Sequence, residues 1–129
     1  MSGTARKDPI GGLVTSPIAT VGPTATLKEA ADAMAADGLG LLVVTDPTGP
    51  SGVLSERDIV MAISEDLDLS EERVRDHSSS EIVTVDEADS VEDAARAMAD
   101  AQIRHLAVTR DGAVFGVISV RDVLRALLD

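Results

Sequence analysis

One stretch of this sequence is written twice. Residues 18–63 align with residues 82–127 without a gap, 64 positions apart (Gly52 to Gly116). Thr20 matches Thr84, Val21 matches Val85, Ala30 and Ala31 match Ala94 and Ala95, and Met34 matches Met98. Further along, Val44 matches Val108, Gly52 Gly116, Ser55 Ser119, Arg57 Arg121 and Asp58 Asp122. Self-similarity over such a length marks a structural unit repeated along the chain. The full length, 129 residues, is that of one ordinary domain. A single copy of roughly 60 residues buries too little surface to be comfortable alone. The two copies are therefore expected to need each other.

Each copy reads as β-α-β-β-α. In the first, a brief extended segment over 18–21 lies between Pro17 and Pro23. Thr26-Leu27-Lys28-Glu29 has the form of a helix capping box, and Leu27, Ala30, Ala31 and Met34 recur at helical spacing up to a C-cap at Gly38. Leu41-Leu42-Val43-Val44 has the length of a strand. The turn formers of 46–50 then return the chain as a hairpin into a second strand over 51–54. Ser55 caps a helix reaching Ser64, with Ile59, Val60 and Ile63 on its apolar side. The second copy gives an extended segment over 82–85, a helix over 90–101, strands over 105–109 and 114–118 about the turn Arg110-Asp111-Gly112, and a helix over 119–128. Residues 1–7 read as a disordered tail, and Pro9–Leu13 as a lead-in turn. The acidic stretch 65–81 reads as a connector with a short helix around 70–76. By register Val74 repeats Ile10, and His77 takes the place of Leu13. The class is α+β: in each copy a three-strand sheet carries both helices on one face. Both faces of Leu41–Val44 and His105–Val108 are apolar, so the two sheets are expected to pack together about a pseudo-twofold axis, helices outside, with two symmetric clefts at the junction.

Composition removes several classes of function. With no cysteine there is no disulfide, thiolate metal site or cysteine nucleophile, and a cytoplasmic location is the expectation. The two histidines, His77 and His105, lack metal-ligand spacing. The acidic cluster Glu65, Asp66, Asp68, Glu71 and Glu72 lacks the glycine and spacing of a calcium loop and reads as solvated surface. Acidic residues outnumber basic ones 23 to 11, for a net charge of −12. Such a chain repels nucleic-acid phosphate and anionic lipid, so neither is expected as a partner. No apolar run is long enough to span a bilayer. No Walker A loop, Gly-x-Gly-x-x-Gly fingerprint or nucleophile–base–orienter set is present, so no enzyme activity is expected.

The chemistry concentrates at two strand-to-helix junctions. Gly52-Val53-Leu54-Ser55-Glu56-Arg57-Asp58 and Gly116-Val117-Ile118-Ser119-Val120-Arg121-Asp122 each run from a glycine through an apolar stretch to a serine, with an aspartate one turn into the helix. Such a junction offers backbone N–H groups to an anion or polar ligand. The same spacing also suits a plain helix cap, with the aspartate at the favourable end of the helix dipole. The carboxylate can in addition accept two charge-assisted hydrogen bonds from a diol. Cap and ligand contact are compatible roles.

These duplicated junctions, with Arg104-His105-Leu106-Ala107-Val108 and the entries Ile18-Ala19-Thr20-Val21 and Ile82-Val83-Thr84-Val85, resemble the cystathionine-β-synthase (CBS) domain pair, or Bateman module, over about residues 9–128. The resemblance implies a tail over 1–8, a first CBS domain over 9–64, a connector and lead-in over 65–81 and a second CBS domain over 82–129, in a small stand-alone CBS-pair protein. It implies a regulatory module that senses adenosine-containing ligands (AMP, ADP, ATP or S-adenosylmethionine) in the cleft between the repeats, with no cofactor required. By position, Asp58 and Asp122 would hold ribose hydroxyls, Ser55 and Ser119 would face ribose or phosphate, and Thr20 and Thr84 would meet adenine. Arg104 and His105 would face phosphate, with Arg57 and Arg121 as further cations. The family pattern also implies a homodimer and a separate regulated protein. The alternative is a structural or dimerisation module that binds no nucleotide. One departure stands out: where the second copy has Arg104-His105, the first has Gly40-Leu41. The two clefts are therefore expected to bind unequally.

Overall fold

The computed structural model describes residues 5–14 and 18–128. The elements, in chain order, are β1 (Thr20–Val21), α1 (Leu27–Asp37), β2 (Leu41–Asp46), β3 (Gly49–Ser55), α2 (Glu56–Ser64), β4 (Thr84–Asp86), α3 (Val91–Ala101), β5 (His105–Arg110), β6 (Ala113–Ser119) and α4 (Val120–Leu128). They form two three-stranded sheets, ordered β1-β2-β3 and β4-β5-β6. In each sheet the short first strand runs parallel to the central one, and the last two strands form an antiparallel hairpin. The expected β-α-β-β-α order is thus present in both copies. Each hairpin carries a register shift at the same place, after Val44 and after Val108. In the second, Asp111 and Gly112 both take positive φ (52° and 82°), the backbone of a primed two-residue turn that matches the twist of the strands it joins.

Among the described residues, each of the four α-helices begins with a Ser/Thr-x-x-Asp/Glu box. Thr26 with Glu29, Ser55 with Asp58 and Ser90 with Asp93 each exchange the two reciprocal bonds. Ser119 and Asp122 make the same bonds at the start of α4. Both Ala-rich helices close on a residue in the left-handed region, Gly38 after α1 and Gln102 after α3. The glycine was expected; the glutamine does the same task against the steric penalty of its Cβ.

The chain divides into two compact units, and their boundaries are not those of the repeats. One unit is residues 19–82; the other joins residues 1–18 to 83–129. The core of the first holds Leu27, Ala30, Met34, Leu42, Val44, Leu54, Ile59 and Ala62, completed by Val74 from the connector. The core of the other holds Val85, Val91, Ala94, Met98, Leu106, Val108, Ile118 and Val123, completed by Ile10. Ile10 and Val74, matched by register, are both fully buried. Each copy's lead-in therefore completes a core other than the one directly after it, because the lead-in apolar residue finds its pocket beside the other helix pair.

Backbone bonds fix this arrangement. Val74 N–H donates to the Ala25 carbonyl (2.9 Å), Arg75 N–H to Pro23 (3.0 Å) and Leu27 N–H to Glu72 (3.0 Å). In the other unit Ile10 N–H donates to Asp89 (2.9 Å), and Val91 N–H donates to the Asp8 carbonyl (2.9 Å). The expected tail is thus partly ordered: Ala5–Lys7 forms a 3-10 turn, while residues 1–4 lie outside the described residues, as does Pro17. Around 70–76 the expected helix shortens to the 3-10 turn Val74–Asp76, since the segment spends its backbone groups on α1 and its approach.

Leu41, Val43 and Ala107 lie on the sheet faces turned away from these cores and are buried as well. The central strands are apolar on both sides, as their sequence required.

Candidate functional site: the two strand-to-helix junctions

Each junction is built by three neighbouring pieces of one unit. In the unit containing the second repeat, β6 ends at Ser119 and α4 starts without a break at Val120. The central strand β5 begins opposite, with His105 paired in register to Ser119. Just before it, the Arg104 carbonyl accepts a hydrogen bond from Val120 N–H at 2.8 Å. The same parts recur in the other unit, where Leu41 pairs with Ser55 and the Gly40 carbonyl accepts from Glu56 N–H at 3.1 Å. The residue at the start of the central strand thus holds the helix through its backbone. Its side chain is left to vary, which is why arginine and glycine can occupy equivalent places.

The serines and aspartates act first as caps. At the α4 junction Asp122 Oδ2 accepts from Ser119 N–H and from Ser119 Oγ, both at 2.9 Å, while Asp122 N–H donates to Ser119 Oγ at 3.2 Å. At the α2 junction the corresponding distances are 2.7, 3.0 and 3.3 Å. Both carboxylates are half-buried. One oxygen of each is spent on the cap; the other, Oδ1, has no hydrogen-bond partner among the described residues and remains available as an acceptor. The expectation of a helix end rich in free N–H groups needs correction. Two of the first three amides of each helix are already bonded, one to the central strand's lead-in carbonyl and one to the serine hydroxyl. Positive charge for an anion must come mainly from side chains.

Those side chains differ between the units. Arg104, Arg57 and Arg121 are exposed, and none forms an ion pair among the described residues. His105 is half-buried beside Ser119. The α4 junction therefore collects Arg104, His105, Ser119, Arg121 and Asp122, with uncharged Val120 as its first helical residue. The α2 junction collects Ser55, Arg57 and Asp58 with Gly40, Leu41 and the acidic Glu56. Thr20 and Thr84 are not part of these clusters. Each is exposed on the short first strand of its sheet, paired with Val43 and Ala107, two register steps from the row that holds the serine. Gly52, inside the first motif, has a structural reason: a Cβ there would clash with the Ser79 carbonyl, where Val53 and Ser79 exchange two backbone bonds of 2.9 Å. Sequence reading missed both this strand-like contact and the carbonyl-to-helix bond, since neither uses a side chain.

Among the described residues no group of acidic or histidine side chains could hold a metal ion, and no helix is long and apolar enough to cross a membrane.

Comparison with known proteins agrees with this construction. The CBS domain family model matches residues 10–65 and again 74–129. A 17.7 kDa protein of Acidianus ambivalens is 36% identical over 93% of this chain and 73% of its own. A CBS domain protein from Pyrobaculum aerophilum, solved in complex with AMP, is 31% identical with a TM-score of 0.80, covering 94% of this chain and 99% of that one. A hexameric CBS-CP12 protein from bloom-forming cyanobacteria is 28% identical with a TM-score of 0.83, covering 90% and 69%. With two matches that between them span nearly all of the sequence, this chain belongs to the CBS domain family as a tandem pair.

Proposed function

We propose that this CBS pair is a regulatory module whose strand-to-helix junctions bind an adenosine-containing nucleotide, and that the module works as a homodimer. The observation that carries the first part is the Ser-x-x-Asp junction found in both units. Each holds a carboxylate rigidly by one oxygen and keeps the other open to a ribose hydroxyl. The AMP-bound relative supports the choice of ligand class. Arg104 gives the α4 junction the cation that a phosphate needs in a chain of net charge −12.

The dimer reading rests on exposed apolar surface. The Ala-rich helices do not supply it with their main apolar stripe: in α1 and α3 Ala30, Met34, Ala94 and Met98 are buried in the cores. The large exposed apolar side chains lie instead on α2 (Val60 61%, Met61 52%, Ile63 55% exposed) and on α4 (Val120, Leu124, Leu128). Apolar faces of this kind are commonly covered by a second copy of the chain, and the hexameric relative shows that assembly occurs in the family.

The test of nucleotide sensing is a thermal-shift series on the full chain with AMP, ADP, ATP, S-adenosylmethionine and adenosine, at low and high salt. Ligand at a hundredfold its Kd adds about 2.7 kcal/mol to the bound state, so at least one of the five should raise the melting temperature. No shift with any of them, at either salt, would overturn the reading.

A further inference from the structure

We propose that residues 5–13 form a detachable strap on the unit containing the second repeat, and that seating of the strap sets the order of the Ser119–Asp122 junction. The device does not depend on what that junction binds.

Among the described residues the strap is tied by three backbone hydrogen bonds and by the bridge between Pro9 and Ser90. Val91 N–H donates to the Asp8 carbonyl (2.9 Å), Ile10 N–H to Asp89 (2.9 Å) and Gly11 N–H to Glu87 (3.0 Å). Arg6 reaches Glu92 at 3.2 Å, an exposed pair that also engages Arg96 and contributes little. Arg6, Lys7, Asp8 and Pro9 are all exposed. Ile10 is fully buried, and Leu13 packs half-buried against the same core. Ile10 belongs to the same buried core as Ile118 and Val123, which directly flank the Ser119–Asp122 box. A single buried isoleucine from the strap thus completes the core that underlies the residues on either side of the cap.

Among the described residues, the matching segment of the other unit makes more bonds. Around Val74, bonds run to Pro23, Ala25 and Leu27, and Arg73 Nη1 donates to the Thr24 carbonyl (3.0 Å). His77 Nε2 meets Glu72 Oε1 at 2.8 Å, and Ser79 pairs with Val53. That segment is also continuous with α2 within one unit, whereas the strap reaches its unit from before the whole first repeat. Regions with few buried contacts open at a small fraction of the global unfolding free energy. Withdrawal of Ile10 leaves a void beside Ile118 and Val123 that close packing does not tolerate, so the junction loosens with it. By reciprocity, whatever captures the strap weakens the junction, and whatever orders the junction seats the strap.

Native-state hydrogen exchange on the full, ligand-free chain tests this. The amides of Ile10, Gly11, Val91 and Val120 should share one opening event that is much more frequent than that of Leu106 and Val108. Ile10→Val, a change mild enough to leave the chain folded, should speed exchange of that set by about two- to tenfold. Glu56, the counterpart of Val120 in the other unit, should not change. Exchange of the set only through global unfolding would overturn the proposal. So would an equal acceleration at Val120 and Glu56, which would make Ile10 a general stabiliser and not a strap.

Discussion

Under the proposed function, Asp58 and Asp122 serve fold and ligand with one side chain each. Their spacing from Ser55 and Ser119 was legible as a capping box, and the bonds confirm it. The spacing alone carries no functional information, since α1 and α3 start with the same box at Thr26–Glu29 and Ser90–Asp93. What separates the α2 and α4 junctions is the uninterrupted strand that delivers the serine. The glycine within that strand is equally specific at Gly52. Its lack of a Cβ lets the Ser79 carbonyl approach β3, and no nearby side chain can move to make room for a backbone atom. Gly52→Ala should therefore cost about 1–3 kcal/mol, read as a lower urea midpoint with an unchanged m-value. An unaltered midpoint would show that the segment around Ser79 shifts without cost.

At the scale of elements, the helices and hairpins were the legible part. Helical spacing, the Thr26 box and Gly38 placed α1, and Asp111-Gly112 placed the second hairpin turn. The path of the lead-ins was not legible. Ile10 and Val74 are short apolar signals in polar surroundings, and nothing in a linear pattern says which of two near-identical pockets each one fills. The apolar side of α2 was visible too, yet periodicity could not divide it between core and surface. Ile59 and Ala62 face the core, while Val60, Met61 and Ile63 are exposed. If those three residues are covered by a second copy, Ile63→Glu should convert the dimer to a folded monomer, seen as a halved mass by light scattering with unchanged far-UV circular dichroism. A dimer that survives Ile63→Glu and the companion Leu124→Glu would move the interface elsewhere.

For the molecule as a whole, duplication supplies two equivalent junctions and divergence makes them unequal. Both keep the serine, arginine and aspartate of the motif. Only the α4 junction adds Arg104 and His105, and only the α2 junction places a glutamate first in its helix. Under the proposed function this difference favours the α4 junction for a phosphate, because one charge-assisted contact is worth roughly 1.5–3 kcal/mol, on the order of tenfold to a hundredfold in affinity. The proposed ribose contact is indifferent to phosphate, and the proposed arginine contact is not. Calorimetric titration of AMP and adenosine into the wild-type chain, Arg104→Ala and Asp122→Ala tests this most directly. Asp122→Ala should weaken both ligands, and Arg104→Ala should weaken AMP by at least about tenfold while leaving adenosine nearly unchanged. Equal losses of AMP and adenosine in Arg104→Ala, or no binding of either ligand to the wild-type chain, would contradict the proposed function.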